Sequence, residues 1–129
     1  MISRRSRIHL RRDCWISLSD LLTPWRFIEK RLEAAAVSDF VIVLYNPQSQ
    51  GRTEPLANAH RILLKYRRAE TPVGVVKKAG RRGEEATVTT LRDLLCSDVD
   101  MVTTVIVGNS ATRVVDGRMV TPRGYDLSQ

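Results

Sequence analysis

An uninterrupted apolar run, Phe40 to Leu44, leads into Tyr45, Asn46 and Pro47. Such a run reads as a strand buried on both faces, and Asn-Pro after it is a turn signal. On either side of it the apolar spacing becomes helical. Trp25, Ile28, Leu32 and Ala35 recur through about Ala36, with Thr23 as N-cap and Pro24 at the first helical position. Trp25 belongs to that core stripe. A second helix is expected from the N-cap Thr53 to about Arg67, burying Leu56, Ala59, Leu63 and Tyr66, with His60 beside the stripe. Three further runs read as strands: Cys14 to Leu18, Thr71 to Val76 with Pro72 at its beginning, and Thr103 to Val107. A third helix is predicted over Thr90 to Cys96, with Leu91, Leu94 and Leu95 inward. Asp116-Gly117, between Thr112 to Val115 and Arg118 to Val120, signals a hairpin. The order βαβαβαβ plus hairpin predicts an α/β fold. Its sheet is mainly parallel but mixed, with flanking helices and a C-terminal antiparallel hairpin.

Parallel strands would gather their exits on one edge: Ser19/Asp20, Tyr45/Asn46, Ala79/Gly80 and Gly108/Asn109/Ser110. Ligands of open α/β sheets bind outside the carboxyl ends of the strands, and small or polar residues allow close backbone approach. Ordinary turn chemistry asks for the same residue types, so spacing alone leaves the two readings level. The dinucleotide, phosphate-loop and G-x-S-x-G fingerprints are absent. A triad of Ser17 or Ser19, Asp20 and His60 can be written down without supporting context, and a helical histidine is by default structural.

Composition narrows the classes. The chain has 129 residues, one domain's worth, with 43% hydrophobic and 27% charged content, which argues against disorder. No apolar run approaches the roughly 18 residues that span a bilayer, so no membrane is expected. Residues 1–12, MISRRSRIHLRR, form a basic leader with no assigned structure. They read as a frayed N-terminus, or alternatively as an acid-free transit peptide. Residues 13–129 form the domain. Cys14 and Cys96 lack C-x-x-C spacing and read as two buried thiols in a reducing, cytoplasmic setting. With His9 and His60 the only histidines, no metal site is expected. The net charge of +7 suits a polyanionic partner, but its cations are dispersed and aromatics make up only 5%. Nucleic acid is therefore not favoured.

Several stretches together carry a resemblance: SLSDLLTPW (Ser17 to Trp25), LYNP (Leu44 to Pro47), TPVGVVKKAGRRGEEATVTTL (Thr71 to Leu91), TTVIVGNS (Thr103 to Ser110) and GRMVTPRGY (Gly117 to Tyr125). In this order they resemble the C-terminal half of the precorrin-3B C17-methyltransferase branch of the tetrapyrrole methylases. The match runs from about Asp13 to Tyr125; the family's N-terminal domain has no counterpart in these residues. The resemblance implies a transferase of cobalamin biosynthesis that methylates precorrin-3B at C17 and contracts the ring to precorrin-4. S-adenosylmethionine is its implied cofactor, bound between two domains, with Leu44, Tyr45, Asn46, Ala79 and Gly80 contributed from this half. It also implies a homodimer or a complementary N-terminal half as partner. Asp20, Lys78 and Arg81 are the expected contacts to a tetrapyrrole polycarboxylate, Asp20 being equally readable as a helix-start residue. No catalytic residue is singled out, since methyl transfer from a sulfonium mainly requires alignment and exclusion of water. Two alternatives stand beside this reading: a non-catalytic domain that self-associates, and a basic nucleic-acid binder.

Overall fold

Pro24 precedes the first helix and Asp39 closes it. The structure, a computed structural model, describes residues 13–47 and 54–122. Strand β1 (Asp13–Ser17) leads to helix α1 (Trp25–Val37). Pro24 itself, and not Thr23, holds the N-cap place, and its carbonyl accepts from the Phe27 N–H at 3.0 Å. At the other end Asp39 takes φ 61°, a left-handed stop that lets the Phe40 N–H return to Ala35 O at 3.1 Å. Strand β2 (Val41–Tyr45) follows and is buried from Val41 to Leu44. Helix α2 (Glu54–Leu64) buries Leu56, Ala59, Ile62 and Leu63, while Tyr66 lies beyond its end and is exposed. The expected cap at Thr53, the loop before it, residues 1–12 and the match at Tyr125 lie outside the described residues.

The sheet has the order β1-β2-β5-β3-β4, built with β3 (Pro72–Lys77), β4 (Glu85–Thr90) and β5 (Thr103–Val107). Two apolar rows cross it on one face: Cys14–Ile42–Val107–Val73 and Ile16–Leu44–Val105–Val75. Both helices cover these rows, with Ile28, Leu32, Ala35, Leu56, Ala59 and Leu63 completing the core. Against the other face lies a hairpin of β6 (Arg113–Val115) and β7 (Arg118–Val120), whose Met119 Sδ sits 3.1 Å from where a Cβ on Gly74 would stand. Asp116 and Gly117, at φ 53° and 76°, make its two-residue turn, as the Asp-Gly signal predicts.

The mixed sheet, flanking helices and hairpin match expectation, but the following details are corrected. Only the β1–β2 ladder is parallel; β2–β5, β5–β3 and β3–β4 are antiparallel. The third helix expected over Thr90 to Cys96 is instead the last residue of β4, a turn over 91–93 and a 3₁₀ turn at Leu94–Cys96. Thr87, Val88, Thr89 and Thr90 are β-prone residues paired to β3, and the helical spacing of Leu91, Leu94 and Leu95 spans less than two turns. Leu91 and Leu94 are buried as expected, whereas Leu95 is exposed. Cys96 is exposed too, so only Cys14, packed against the core, behaves as a small hydrophobe.

A buried arginine ties the lower end together. The Arg67 guanidinium donates to Gly108 O and Phe40 O at 2.6 Å each, and to Ala35 O and Ala36 O at 3.3 and 3.4 Å. Four backbone acceptors from α1, the turn after it and the end of β5 thus share one side chain. Burial lowers its pKa, with the carboxylate of Asp39 acting in the opposite direction.

Candidate functional site

Two of the three antiparallel steps in the sheet decide where a site can be. β5 is antiparallel to both β2 and β3, so β1, β2 and β3 point the same way and β5 points back. The exits Ser19/Asp20, Tyr45/Asn46 and Ala79/Gly80 therefore share one edge. Gly108/Asn109/Ser110 goes to the opposite edge, correcting the expectation that all four gather. There it is consumed by structure. Asn109 Nδ2 donates to Asp39 O at 3.1 Å, the Ser110 N–H donates to Asp39 Oδ1 at 3.0 Å, and Thr112 Oγ1 accepts from the Asn109 N–H at 2.9 Å. A Cβ on Gly108 would stand 2.7 Å from Thr112 Cβ, so this position needs glycine.

At the shared edge, β2 ends in a tight turn. Tyr45 O accepts from the Leu18 N–H at 3.0 Å, which extends the β1–β2 ladder by one bond. Asn46 then takes φ 53°, a left-handed conformation that asparagine tolerates better than most residues. Its Nδ2 donates to Ser17 Oγ at 3.1 Å, and the same hydroxyl accepts from the Ser19 N–H at 3.2 Å. Ser17 is thus the link between the loop after β1 and the turn after β2. Sequence reasoning noted this serine only as a triad candidate; the Ser-x-Ser-Asp spacing after a strand, a side-chain-to-backbone turn pattern, is the signal that points to it. Leu44 lies behind the turn, fully buried, while Tyr45 is exposed and faces Trp15, ring centroids 6.5 Å apart at 53°. The next residues of the β1 loop present Leu21 and Leu22 to solvent, Leu22 at 98% exposure. Asp20, half-buried, is engaged by interactions within the chain.

The third exit is the β3–β4 turn. Lys78 has φ 55° and Gly80 φ 77°, and the turn is closed by the Gly80 N–H donating to Glu84 Oε1 at 2.7 Å and the Arg81 N–H to Lys78 O at 2.9 Å. Ala79, Gly80, Arg81 and Arg82 are all exposed, and a Cβ on Gly80 would meet nothing within 4 Å. The Lys77 ammonium is engaged by Asp98, a hydrogen bond that raises its pKa. Between β2 and β3 stands the start of β5, fixed by Asp100. Its carboxylate accepts from Thr103 Oγ1 at 2.7 Å and from the Val102 N–H at 3.0 Å, and these bonds hold its pKa below the usual carboxylate range. A depression of about 230 Å³ opens beside this exit, with Lys77, Glu85, Ser97 and Asp98 in its wall.

His60 stands elsewhere. Its Nε2 lies 2.7 Å from Leu91 O, tying α2 to the segment after β4, while Ser17 is bound to Asn46, so the triad's members have separate partners. Among the described residues no group of three or more His, Cys, Asp or Glu side chains is placed to hold a metal ion. No helix there is long and apolar enough to cross a membrane.

Comparison with known proteins bears on this edge. Residues 4–95 match the family model of the Tetrapyrrole (Corrin/Porphyrin) Methylases. The chain belongs to the tetrapyrrole methylase family. It is 59% identical over 114 residues to a probable cobalt-factor III C(17)-methyltransferase of Salmonella typhimurium strain LT2, covering 88% of this chain and 47% of that one. It is 43% identical over 117 residues to a precorrin-3B C(17)-methyltransferase of a Sinorhizobium species, covering 87% and 46%. Among solved structures it superposes on the methyltransferase CobJ with a TM-score of 0.75 at 35% identity, covering 84% of this chain and 46% of that one. This tetrapyrrole methylase chain thus spans about half the length of these relatives.

Proposed function

We propose that this chain forms one half of a C17-methyltransferase of cobalamin biosynthesis, acting on precorrin-3B or its cobalt-containing counterpart, with methylation at C17 accompanied by ring contraction. The higher identity to the cobalt-factor III relative, 59% against 43%, favours the cobalt-containing substrate. On this reading the half is the C-terminal one and works with a complementary N-terminal half. The exposed Leu21 and Leu22, standing beside the candidate cleft, fit a covering surface there.

The observation that carries the proposal is the pair of left-handed turns, at Asn46 and at Lys78 to Gly80, on the same sheet edge. S-adenosylmethionine fits the residues present. Tyr45 offers an exposed ring, Asn46 an exposed amide-bearing turn, and Ala79 and Gly80 a surface without bulky side chains. Leu44 forms the apolar floor behind the turn. When bound, the cofactor supplies an electrophilic methyl group. The chain's own part is to orient donor and acceptor carbon and exclude water. Lys78 and Arg81, exposed beside Ala79, would meet the substrate's carboxylates, and Asp20 the opposite side of the opening. Ser17 is a positioning residue for Asn46.

Isothermal titration with S-adenosylhomocysteine tests the reading. Micromolar binding by the chain, alone or with an added N-terminal half, supports it. Absence of binding with several such halves present would sink it.

A further inference from the structure

Trp15 is exposed yet held in place. Cys14 and Ile16 lie on the helix-covered face of the sheet, so Trp15 stands on the opposite face, beside Val43 in the β1–β2 ladder. Its ring is 52% exposed, although tryptophan is on average a highly buried residue. Two contacts nonetheless fix it. The indole Nε1–H donates to Asp13 Oδ2 at 2.9 Å, and the ring packs against Tyr45, itself 39% exposed. The pair thus gives up rotamer freedom on folding, before any ligand arrives, which makes an aromatic contact efficient in binding.

The surroundings set this pair apart from a broad apolar patch. On the same face stand Ser17, beside Tyr45 in the ladder, and Thr104 of β5, whereas Val41 and Val43 are buried. Two rings framed by polar residues suit one flat conjugated ligand better than a protein surface. Tyr45 ends β2, so the pair adjoins the turn at Asn46. Three strand spacings away along the same edge, roughly 14 Å, the β3–β4 turn presents Lys78, Arg81 and Arg82 to solvent. Asp13 places a carboxylate at the aromatic end. Anionic arms of a ligand are therefore disfavoured beside Trp15 and favoured at the turn.

We propose that Trp15, with Tyr45, is the stacking contact for the conjugated face of a flat tetrapyrrole whose carboxylate arms reach Lys78, Arg81 and Arg82. The inference rests on the methyltransferase reading and deepens it. Trp15 and Arg82 join the substrate contacts, and the macrocycle gains an orientation, its body over β1 and β2 and its acidic arms toward the β3–β4 turn. Tyr45, a cofactor contact in that reading, would stand at the junction where methyl donor and acceptor meet. A neutral flat ligand would use only the aromatic end, and a polyanion without a ring only the cationic one.

Titration with uroporphyrin, a flat polycarboxylate tetrapyrrole, reads the contact through the shift of its Soret band, a signal that needs no tryptophan. S-adenosylhomocysteine is titrated calorimetrically in parallel. Wild type should bind the porphyrin saturably at micromolar concentration. Trp15→Ala should weaken that binding about tenfold, as loss of one aromatic stacking contact does, and Trp15→Phe should recover most of it. Affinity for S-adenosylhomocysteine should be unchanged in both variants. Arg82→Ala should weaken porphyrin binding and flatten its dependence on salt. If Trp15→Ala fails to fold by circular dichroism, Trp15→Thr, suited to a strand, takes its place. Porphyrin affinity unchanged by loss of the indole, or no saturable porphyrin binding, would overturn the proposal. So would an added N-terminal half that displaces the porphyrin, since the pair would then be an interface between halves. Absent S-adenosylhomocysteine binding with the Trp15 effect intact would count against the cofactor side of the methyltransferase reading and leave the tetrapyrrole contact supported.

Discussion

Replacing Arg67 by methionine keeps the apolar length of the side chain and deletes its donors. The two 2.6 Å bonds to Gly108 O and Phe40 O are lost, as are the longer contacts to Ala35 O and Ala36 O. Hydrogen bonds to a charged donor contribute about 1.5–3 kcal/mol each, so the two short ones set a gross loss of about 3–6 kcal/mol. Part of that is returned because the guanidinium no longer has to be desolvated, the effect that lowers its pKa. The carbonyls remain, without their donor, in a region where Arg67 itself is only 8% exposed. We expect a net destabilisation of about 3–4 kcal/mol, a large share of the roughly 5–15 kcal/mol of an ordinary domain. At about 4 °C per kcal/mol for a chain of this size, the melting temperature should fall by about 12–16 °C. Arg67→Lys should lose about half as much, since an ammonium lacks the planar fork whose two nitrogens serve the two short acceptors. Urea titration and thermal scans by circular dichroism measure both. A methionine variant within about 1 kcal/mol of wild type would refute the reasoning, by showing that desolvation cancels the bonds.

Ala79→Trp should abolish binding of S-adenosylhomocysteine in titration, with the circular dichroism spectrum unchanged because Ala79 is exposed. Gly108→Ala should cost about 1–3 kcal/mol by overpacking against Thr112, and the double variant with Thr112→Gly should relieve that clash while losing the Asn109 N–H contact; urea midpoints separate the two. For Asp100 the folded pKa lies below the unfolded 3.8, so its contribution is present above that value and lost as pH falls through the folded one. Asp100→Ala should therefore be less stable than wild type at neutral pH, and the difference should shrink as pH drops below the carboxylate range, as read from urea midpoints at several pH values.

Runs with one clear period were legible without coordinates. Val41 to Leu44, the Ile28–Leu32–Ala35 stripe and the Asp-Gly hairpin each follow from a single local rule, and each stands where expected. What failed is what local rules do not contain. The direction of β5 depends on how the chain from Leu91 to Val102 crosses back, and no periodicity in Thr103 to Val107 encodes it. Reversal of that one strand moved Gly108 to Ser110 from the candidate site to the opposite edge. Thr90 to Cys96 failed differently, because leucines spaced for a helix serve equally as buried anchors of a turn. Of the candidate site, the exits of β2 and β3 were legible as polar or small residues after apolar runs. The joining role of Ser17 was not, since it depends on an asparagine 29 positions away in the chain.

The interposed β5 has a consequence for what the edge can select. Adjacent strands keep a spacing of about 4.8 Å, so the turns after β2 and β3 stand roughly two spacings apart. That width is quantised. Point substitutions can alter what the two rims present, but only gain or loss of a whole strand would bring the rims together or spread them. A lineage of proteins on this sheet inherits one fixed aperture, and it is free to change ligands only among those sharing that breadth.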